Sequence, residues 1–159
     1  MMAEIEQLAL ATADAEQFMQ QAVELISASF DFYFVSLFLV DETGEWIAFR
    51  VGIGEFGKIM RKFEHRFSII SNGVLVKVVR LNQAYLDNSF EDRSIHRRHP
   101  LLPDTKSQVI LPLRVPQGAI GVLDLHSEVS GDFAEEDIPM LLPTAEQVAR
   151  LCIQLGAQT

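Results

Sequence analysis

An acid and a histidine, Asp124 and His126, end an apolar stretch that spans residues 119–126. In an extended strand alternate side chains share a face, so these two would point the same way, together with Ile120 and Val122. The intervening residues form a wholly apolar second face. Because a buried polar side chain needs a partner, the pair favours a face that turns toward a small ligand. The alternative is a wet strand end, where His126 contacts water and Asp124 accepts hydrogen bonds from local backbone.

Two further polar residues, His65 and Asp87, are candidates for the same site. His65 precedes Arg66 after an irregular middle segment and could close a pocket from the opposite side. Asp87 ends a short run with the character of a strand. Each also has an ordinary structural explanation, because a histidine can bond to backbone at a strand start and an acid is common in turns. We predict both as ligand-binding residues, with these explanations left open.

A basic cluster, with sequence RSIHRRH, begins at Arg93 in a long polar connection of an otherwise acidic chain. Guanidinium and imidazolium groups are suited to a carboxylate or phosphate on a ligand. We therefore predict Arg93, His96 and His99 as ligand-binding residues. The alternative is a solvated loop whose positive charges offset the neighbouring acids.

The sequence offers few signs of catalysis. It contains no Gly-x-Ser-x-Gly turn, no Gly-rich phosphate loop and no histidine pair with metal spacing on a clear helix. Cys152 is the only cysteine, so it cannot form an internal disulfide or a thiolate metal site alone. We therefore expect a protein that is not an enzyme, with no catalytic and no metal-binding residues. An enzyme with His96 or His99 as general base is the weaker alternative.

The overall charge excludes several classes of partner. Thirteen basic and 22 acidic residues give a formal net charge of −9, which repels nucleic-acid phosphates and anionic lipid. No apolar run approaches the roughly 20 residues of a membrane helix, and the N-terminus shows no secretory signal. We expect a cytoplasmic protein that binds no nucleic acid and does not insert into a membrane.

Both chain ends are predicted to be helical. Residues 3–29 contain neither Gly nor Pro and are rich in helix-forming residues, and residues 134–156 repeat apolar positions three and four apart. Pro143 should bend that second helix or delay its beginning. Both segments carry heptad-like seams, which are typical of paired helices. We predict a homodimer through the terminal helices, with these interface residues: Leu8, Met19, Ile26, Leu141 and Val148.

Between the helices, the apolar period changes to that of strands. Aromatic and β-branched runs flank a turn at 41–44 and another at 116–118, which predicts two β-hairpins. The order of helix, hairpin, mixed middle, hairpin and helix predicts an α+β fold with an antiparallel sheet. We expect a single domain over residues 1–159, with a core from about 15 to 155.

Five segments of the sequence resemble, in their types and their order along the chain, those of a bacterial GAF domain, and the resemblance covers nearly the whole chain. It implies an antiparallel sheet of five or six strands. It also implies that the N- and C-terminal helices cover one face and that loops with short helices enclose a small-molecule pocket on the other. The segments that carry the resemblance are FYFVSLFLVDETG (32–44), the His-Arg segment (60–66), PLLPDTKSQVILPL (100–113), GVLDLHS (121–127) and FAEEDI (133–138).

The sequence lacks features that define several functional subfamilies of GAF domains. Bilin-binding members attach the chromophore to a pocket cysteine, and the reductases of this fold use pocket cysteines, whereas Cys152 lies on the seam of the last predicted helix. The Asn-Lys-Phe-Asp-Glu signature of cyclic-nucleotide-binding members is absent. We expect a sensor-type member that is neither bilin-binding nor a reductase. Haem ligation by His96 or His99 is disfavoured, and the cofactor stays unassigned.

The resemblance implies a regulatory domain of a bacterial signal-transduction protein. An unidentified small ligand would bind between the sheet and the loops of residues 55–105 and would change the packing of the terminal helices. Those helices would act on a linked effector such as a histidine kinase or a diguanylate cyclase. The alternative is a dimerisation and scaffold module with a vestigial pocket, filled by Phe56, Phe63, Phe67 and Phe90.

Overall fold

The computed structural model describes residues 1–88 and 102–157. Four residues of the sequence predictions, Phe90, Arg93, His96 and His99, lie outside the described residues. The helices in the described part are α1 (Met2–Ala11), α2 (Ala15–Phe30), α3 (Gly54–Lys62), α4 (Val74–Leu81) and α5 (Asp137–Gln154). The strands are β1 (Phe34–Val40), β2 (Trp46–Gly52), β3 (Arg66–Ser68), β4 (Tyr85–Asp87), β5 (Ser107–Val115) and β6 (Gly118–Ser127).

The six strands form one antiparallel sheet in the order β3-β2-β1-β6-β5-β4. Both predicted hairpins are present, as β1–β2 and β5–β6, and β1 pairs with β6 to join them at the centre of the sheet. The predicted α+β class, with an antiparallel sheet of five or six strands, is confirmed. None of the helices in the described ranges is long and apolar enough to cross a membrane.

The prediction of a single helix over residues 3–29 is wrong, because the helix is interrupted between α1 and α2. Thr12 has an extended backbone, with φ −96° and ψ 151°. The Asp14 carboxylate then accepts a hydrogen bond from the backbone N–H of Gln17 at 2.8 Å and caps the start of α2. An aspartate cap of this kind satisfies an N–H that the helix itself leaves open. The local capping interaction therefore prevails over the favourable helix propensity of the flanking residues.

One face of the sheet is covered by α2 and α5, and α1 packs against these two helices. Apolar side chains of β1, β5 and β6 meet the helices in one continuous core that includes Leu37, Leu111 and Leu123. All three side chains are at most 1% exposed. The burial of a whole apolar sheet face is the main stabilising contribution of these helices, at roughly 25 cal/mol per Å² of apolar surface removed from water.

The predicted dimer-interface residues lie in this core, and that part of the prediction is corrected. Met19, Ile26, Leu141 and Val148 are 0–7% exposed within the single chain, and the half-buried Leu8 packs against the same cluster. The seams of the terminal helices face the chain's own sheet rather than a second copy. The physical reason is that the apolar sheet face must be covered, and each helix seam can be buried only once.

The opposite face of the sheet carries a second apolar cluster, which includes Phe34, Phe38 and Val122 and packs against α3 and α4. Alternation along β6 predicted Ile120 on this face, but its side chain packs against the helix-side core instead. The register between β5 and β6 shifts between Pro112 and Arg114, which inserts an extra residue on β6 and changes the facing of Ile120. The alternation holds again from Val122 to His126.

Candidate functional site

Four polar side chains lie side by side on the face of the sheet opposite the terminal helices. Ser36 on β1 is directly opposite Asp124 on β6, and Gln108 on β5 is directly opposite His126. Paired residues of neighbouring strands point to the same face, so the central strands bring the four groups together. We call these four residues the polar wall.

The polar wall lines a cavity of about 170 Å³ between the sheet and the elements that cover it. Met60 of α3, His65, and Val74 of α4 lie on the covering side. The remaining lining is mainly apolar and comes from these residues: Phe34, Phe38, Phe67, Gly73, Leu75, Leu102 and Ile110. A mainly apolar cavity with a few convergent polar groups is the usual form of a small-molecule site.

The Asp124 carboxylate is the charged centre of the polar wall and is 6% exposed. One of its oxygens accepts a hydrogen bond from Gln108 Nε2 at 2.7 Å, and the other is 3.0 Å from His126 Nε2. Charge-assisted bonds of this length stabilise a buried carboxylate. The two partners fix the plane of the carboxylate against the sheet.

His126 is held through both ring nitrogens. Nδ1 is 3.0 Å from the Thr105 hydroxyl, and Nε2 faces Asp124. The Thr105 hydroxyl is in turn hydrogen-bonded to the Tyr33 hydroxyl, whose pKa is raised by burial. These contacts at both nitrogens fix the orientation of the imidazole ring. The ring therefore orients Asp124 and presents no free nitrogen to the cavity.

Ser36 differs from the rest of the polar wall, because its hydroxyl has no hydrogen-bond partner among the described residues and is inaccessible to solvent. A buried hydroxyl without a partner costs roughly 1–3 kcal/mol in protein mutational data. Buried polar groups in native structures are otherwise almost always bonded. An unpaired hydroxyl at the edge of a cavity is therefore a position that a ligand can satisfy.

The structure brings Asp124 and His126 together, as their alternation predicted, and both line the cavity. The alternative of a wet strand end is wrong, since the two residues are 6% and 5% exposed and bond to side chains. Their role in ligand binding stays a prediction.

His65 lines the cavity from the opposite side, and Asp87 does not. The His65 ring packs edge-on against Phe67, and burial lowers the pKa of its imidazole. Asp87 lies opposite Gln108 across the β4–β5 ladder and accepts a hydrogen bond from the Tyr85 hydroxyl at 3.2 Å. Asp87 therefore supports the edge of the sheet beside the polar wall.

Sequence reasoning missed Ser36, Gln108, Thr105 and Tyr33. Ser36 interrupts the apolar run of β1, and a polar residue inside such a run is a signal that alternation could have used. Gln108 and Thr105 carried no comparable signal. The Tyr33–Thr105 contact joins residues 72 positions apart, and only the folded sheet brings them together.

A larger and more open groove, of about 580 Å³, lies on the outer side of α5 beside the β5–β6 turn. Its charged groups are matched across elements, with Arg150 2.9 Å from Glu6 of α1 and Arg114 3.8 Å from Glu146. Each place has a buried polar atom without a partner among the described residues, Gln147 Oε1 in the groove and Ser36 Oγ in the cavity. The smaller cavity is the better candidate, because the buried Asp124 carboxylate also lines it.

Cys152, on α5, is fully buried in the helix-side core, and burial raises the pKa of its thiol to about 12. It does not line the cavity, so a reaction there would have to use groups other than this thiol. Within residues 1–88 and 102–157, no group of three or more His, Cys, Asp or Glu is placed to hold a metal ion.

Solved structures with the same fold come from a phosphotransferase, a chemotaxis protein and a reductase. The GAF domain of a phosphoenolpyruvate-protein phosphotransferase from Coxiella burnetii superimposes with a TM-score of 0.80 at 19% identity, covering 96% of this chain and 90% of that one. A methyl-accepting chemotaxis protein, residues 122 to 287, gives a TM-score of 0.75 at 17% identity, covering 96% of both chains. Free methionine-R-sulfoxide reductase from Neisseria meningitidis, in complex with its substrate, gives a TM-score of 0.77 at 18% identity, covering 96% of this chain and 86% of that one.

The reductase corrects the expectation that this chain is not an enzyme, because the same fold carries catalysis in that protein. The expectation that the chain is not a reductase is based on the position of its single cysteine, and with reductases among the structural neighbours it stays a prediction. A comparison with curated proteins gave no match. The family model described as GAF domain matches residues 12–151, and with that match across most of its length the chain belongs to the GAF domain family.

Proposed function

We propose that this chain is a regulatory domain of a bacterial signalling protein and that it senses a small molecule in the cavity beneath the polar wall. The observation that carries the proposal is the unpaired hydroxyl of Ser36 at a cavity of about 170 Å³. GAF domains are in general regulatory ligand-binding domains of signalling proteins, which agrees with this assignment.

Tight packing connects the cavity to α2. Met60 lines the cavity from α3, and Gly57 on the same helix lies so close to Gly52 that a Cβ atom on Gly57 would be 2.1 Å from the Gly52 carbonyl oxygen. That oxygen accepts a hydrogen bond from Gln20 of α2 at 3.2 Å. A displacement of α3 by a ligand would therefore act on the backbone of β2 that holds α2.

Ion pairs join α2 to β2 and to α3 in addition to this contact. Glu16 of α2 accepts a hydrogen bond from Arg50 of β2 at 3.1 Å and is 3.6 Å from Arg61 of α3. Glu16 thus holds a strand and a cavity-lining helix at once. Ligand control requires different affinities for two arrangements, and these contacts are the ones that a shift of α3 would change.

The output is proposed to pass through the terminal helices to a linked effector, such as a histidine kinase or a diguanylate cyclase. A homodimer, if it transmits the signal, must form through the outer surfaces of α1, α2 and α5, because the seams are buried in the single chain. Light scattering after size exclusion tests this, and a monomer at high micromolar concentration would contradict the dimer.

The vestigial-pocket alternative has less support. Phe67 lines the cavity, but Phe63 is 75% exposed and Phe56 packs edge-on against Phe34. Phe90 lies outside the described residues. The three described phenylalanines thus leave open the volume that they were expected to fill.

A thermal-shift screen of amines, amides, nucleotides, amino acids and carboxylates tests the proposal. A ligand at 100 times its Kd stabilises the folded state by about 2.7 kcal/mol, which is roughly 5–10 °C for a chain of this size. The matched control is Val74→Phe, which adds a ring to a half-buried, cavity-lining position. Shifts that survive in Val74→Phe, or a screen without any hit, would contradict a sensing cavity.

A further inference from the structure

We propose that the cavity selects a small molecule with an apolar, ring-sized body and a hydrogen-bond-donating head that is neutral or cationic, and that it rejects carboxylates and phosphates. This inference rests on the proposed function of the same cavity. It follows from the charge of the polar wall, its unused acceptor sites and the shape of the apolar lining.

The charge of the cavity is negative or neutral. Asp124 is its buried carboxylate, and the ionisable partner of that carboxylate is His126, at 3.0 Å. The cavity lining, within the described part of the chain, contains neither lysine nor arginine. An anionic head would lie beside a buried like charge that no lysine or arginine of the described lining offsets, and such repulsion is strong where water is excluded. The basic residues that the sequence predicts for ligand binding, Arg93, His96 and His99, lie outside the described residues.

The two histidines of the cavity are not placed to bind an anionic head. Both nitrogens of His126 are engaged, by Thr105 and by Asp124, so neither N–H is directed at a ligand. His65 lies across the cavity, and because burial lowers the pKa of its imidazole, the ring is neutral near pH 7.

The unused hydrogen-bonding capacity of the polar wall consists mainly of acceptors. An ionised carboxylate offers about four lone-pair sites, and Asp124 uses one on each oxygen, for Gln108 and for His126. Ser36, directly opposite Asp124 across the β1–β6 ladder, has an unpaired hydroxyl. A ligand head with two N–H groups can donate to Asp124, and a small displacement of the lining would let it reach Ser36 as well, since the Ser36 hydroxyl is closed to water in this arrangement.

The rest of the cavity is suited to a ring. Phe34, Phe38 and Phe67 line it together with aliphatic side chains, and the volume is about 170 Å³. An engineered apolar cavity of about 150 Å³ in another protein binds benzene, so one ring with a short polar head fits this volume. A nucleotide is larger than the volume that the described residues enclose.

Three probes of nearly identical shape isolate the effect of charge from that of size, because benzamidine is cationic, benzamide is neutral and benzoate is anionic. Isothermal titration of the full chain at pH 7.5 should show benzamidine binding at least about 10-fold more tightly than benzoate, a difference of roughly 1.4 kcal/mol. Benzamide should bind between the two. Val74→Phe should abolish the binding of all three.

Two variants assign the discrimination to the polar wall. Asp124→Asn keeps the shape and removes the charge, so it should lower benzamidine affinity about 10-fold while benzamide changes by less than about 3-fold. Ser36→Ala keeps the charge and removes one acceptor, so it should weaken benzamidine and benzamide alike. Folding of both variants is checked by circular dichroism. If Asp124→Asn does not fold, the loss of affinity in Ser36→Ala is the test of the polar wall.

The outcomes distinguish this inference from the proposed function. Benzoate that binds as tightly as benzamidine, with binding abolished by Val74→Phe, would overturn the ligand class and leave a functional cavity. If none of the three probes binds at millimolar concentration, the ligand class is also overturned, and the broader thermal-shift screen then decides whether the cavity binds anything.

Discussion

Replacing Ser36 with alanine should stabilise the ligand-free protein. The Ser36 hydroxyl is buried and has no partner in the described part of the chain. Removal of such a group recovers a desolvation penalty of roughly 1–3 kcal/mol. Loss of the oxygen's packing contacts offsets part of this. We therefore expect a net gain of about 1–2 kcal/mol, which raises the Tm by roughly 2–8 °C for a chain of this length.

Ser107→Ala is the matched control. Ser107 is equally buried on β5, but its hydroxyl donates to the Val129 carbonyl at 2.7 Å. Loss of this bond leaves the carbonyl without that donor, so the free energy of unfolding should fall by roughly 1–2 kcal/mol. Both changes are Ser to Ala in a strand, so differences in β propensity largely cancel.

Urea denaturation of the two variants measures the contrast, with the slope m checked for constancy so that the change in midpoint reports stability. Ser36→Ala should shift the midpoint upward and Ser107→Ala downward. If Ser36→Ala destabilises the chain as much as Ser107→Ala does, then the Ser36 hydroxyl is satisfied in the folded protein. The polar wall would then have no unsatisfied hydroxyl for a ligand to bind.

Three further predictions concern packing, the thiol and acid stability. Gly57→Ala should lower the free energy of unfolding by at least about 2 kcal/mol, because its Cβ would be 2.1 Å from the Gly52 carbonyl oxygen. Urea denaturation measures this change, and a near-neutral result would contradict the close α3–β2 contact. Cys152, with its pKa raised to about 12 by burial, should react with iodoacetamide at pH 8 at least about 100-fold more slowly in the native state than in urea, and equal rates would show that the thiol is accessible. Burial lowers the pKa of His65 from its ordinary 6.5, so below about pH 6.5 the unfolded chain binds a proton that the folded chain does not, and stability falls. His65→Gln should reduce that loss in urea titrations between pH 7 and 5, and an unchanged slope would remove His65 as its source.

Local patterns were sufficient for the class of the fold. Strand alternation and turn residues act over a few positions, so both hairpins and the shared face of Asp124 and His126 could be predicted from the sequence. The same rule failed at Ile120, because a shift in the β5–β6 register changes the facing of that residue. Facing depends on hydrogen bonds to the neighbouring strand, and a one-residue change there reverses it.

The sequence by itself determined that the terminal helices have apolar seams to bury and that the central sheet has two unlike faces. Only the tertiary structure decided what covers each seam, and it placed Met19 and Val148 on the chain's own sheet. Tertiary structure alone also assembled the polar wall, because Ser36, Gln108 and Asp124 come from three strands whose register no local pattern specifies. The chemistry of a side chain determines whether it must be buried or hydrogen-bonded, and this can be read from the sequence. Which residue becomes its partner depends on which distant segments the folded backbone brings into contact.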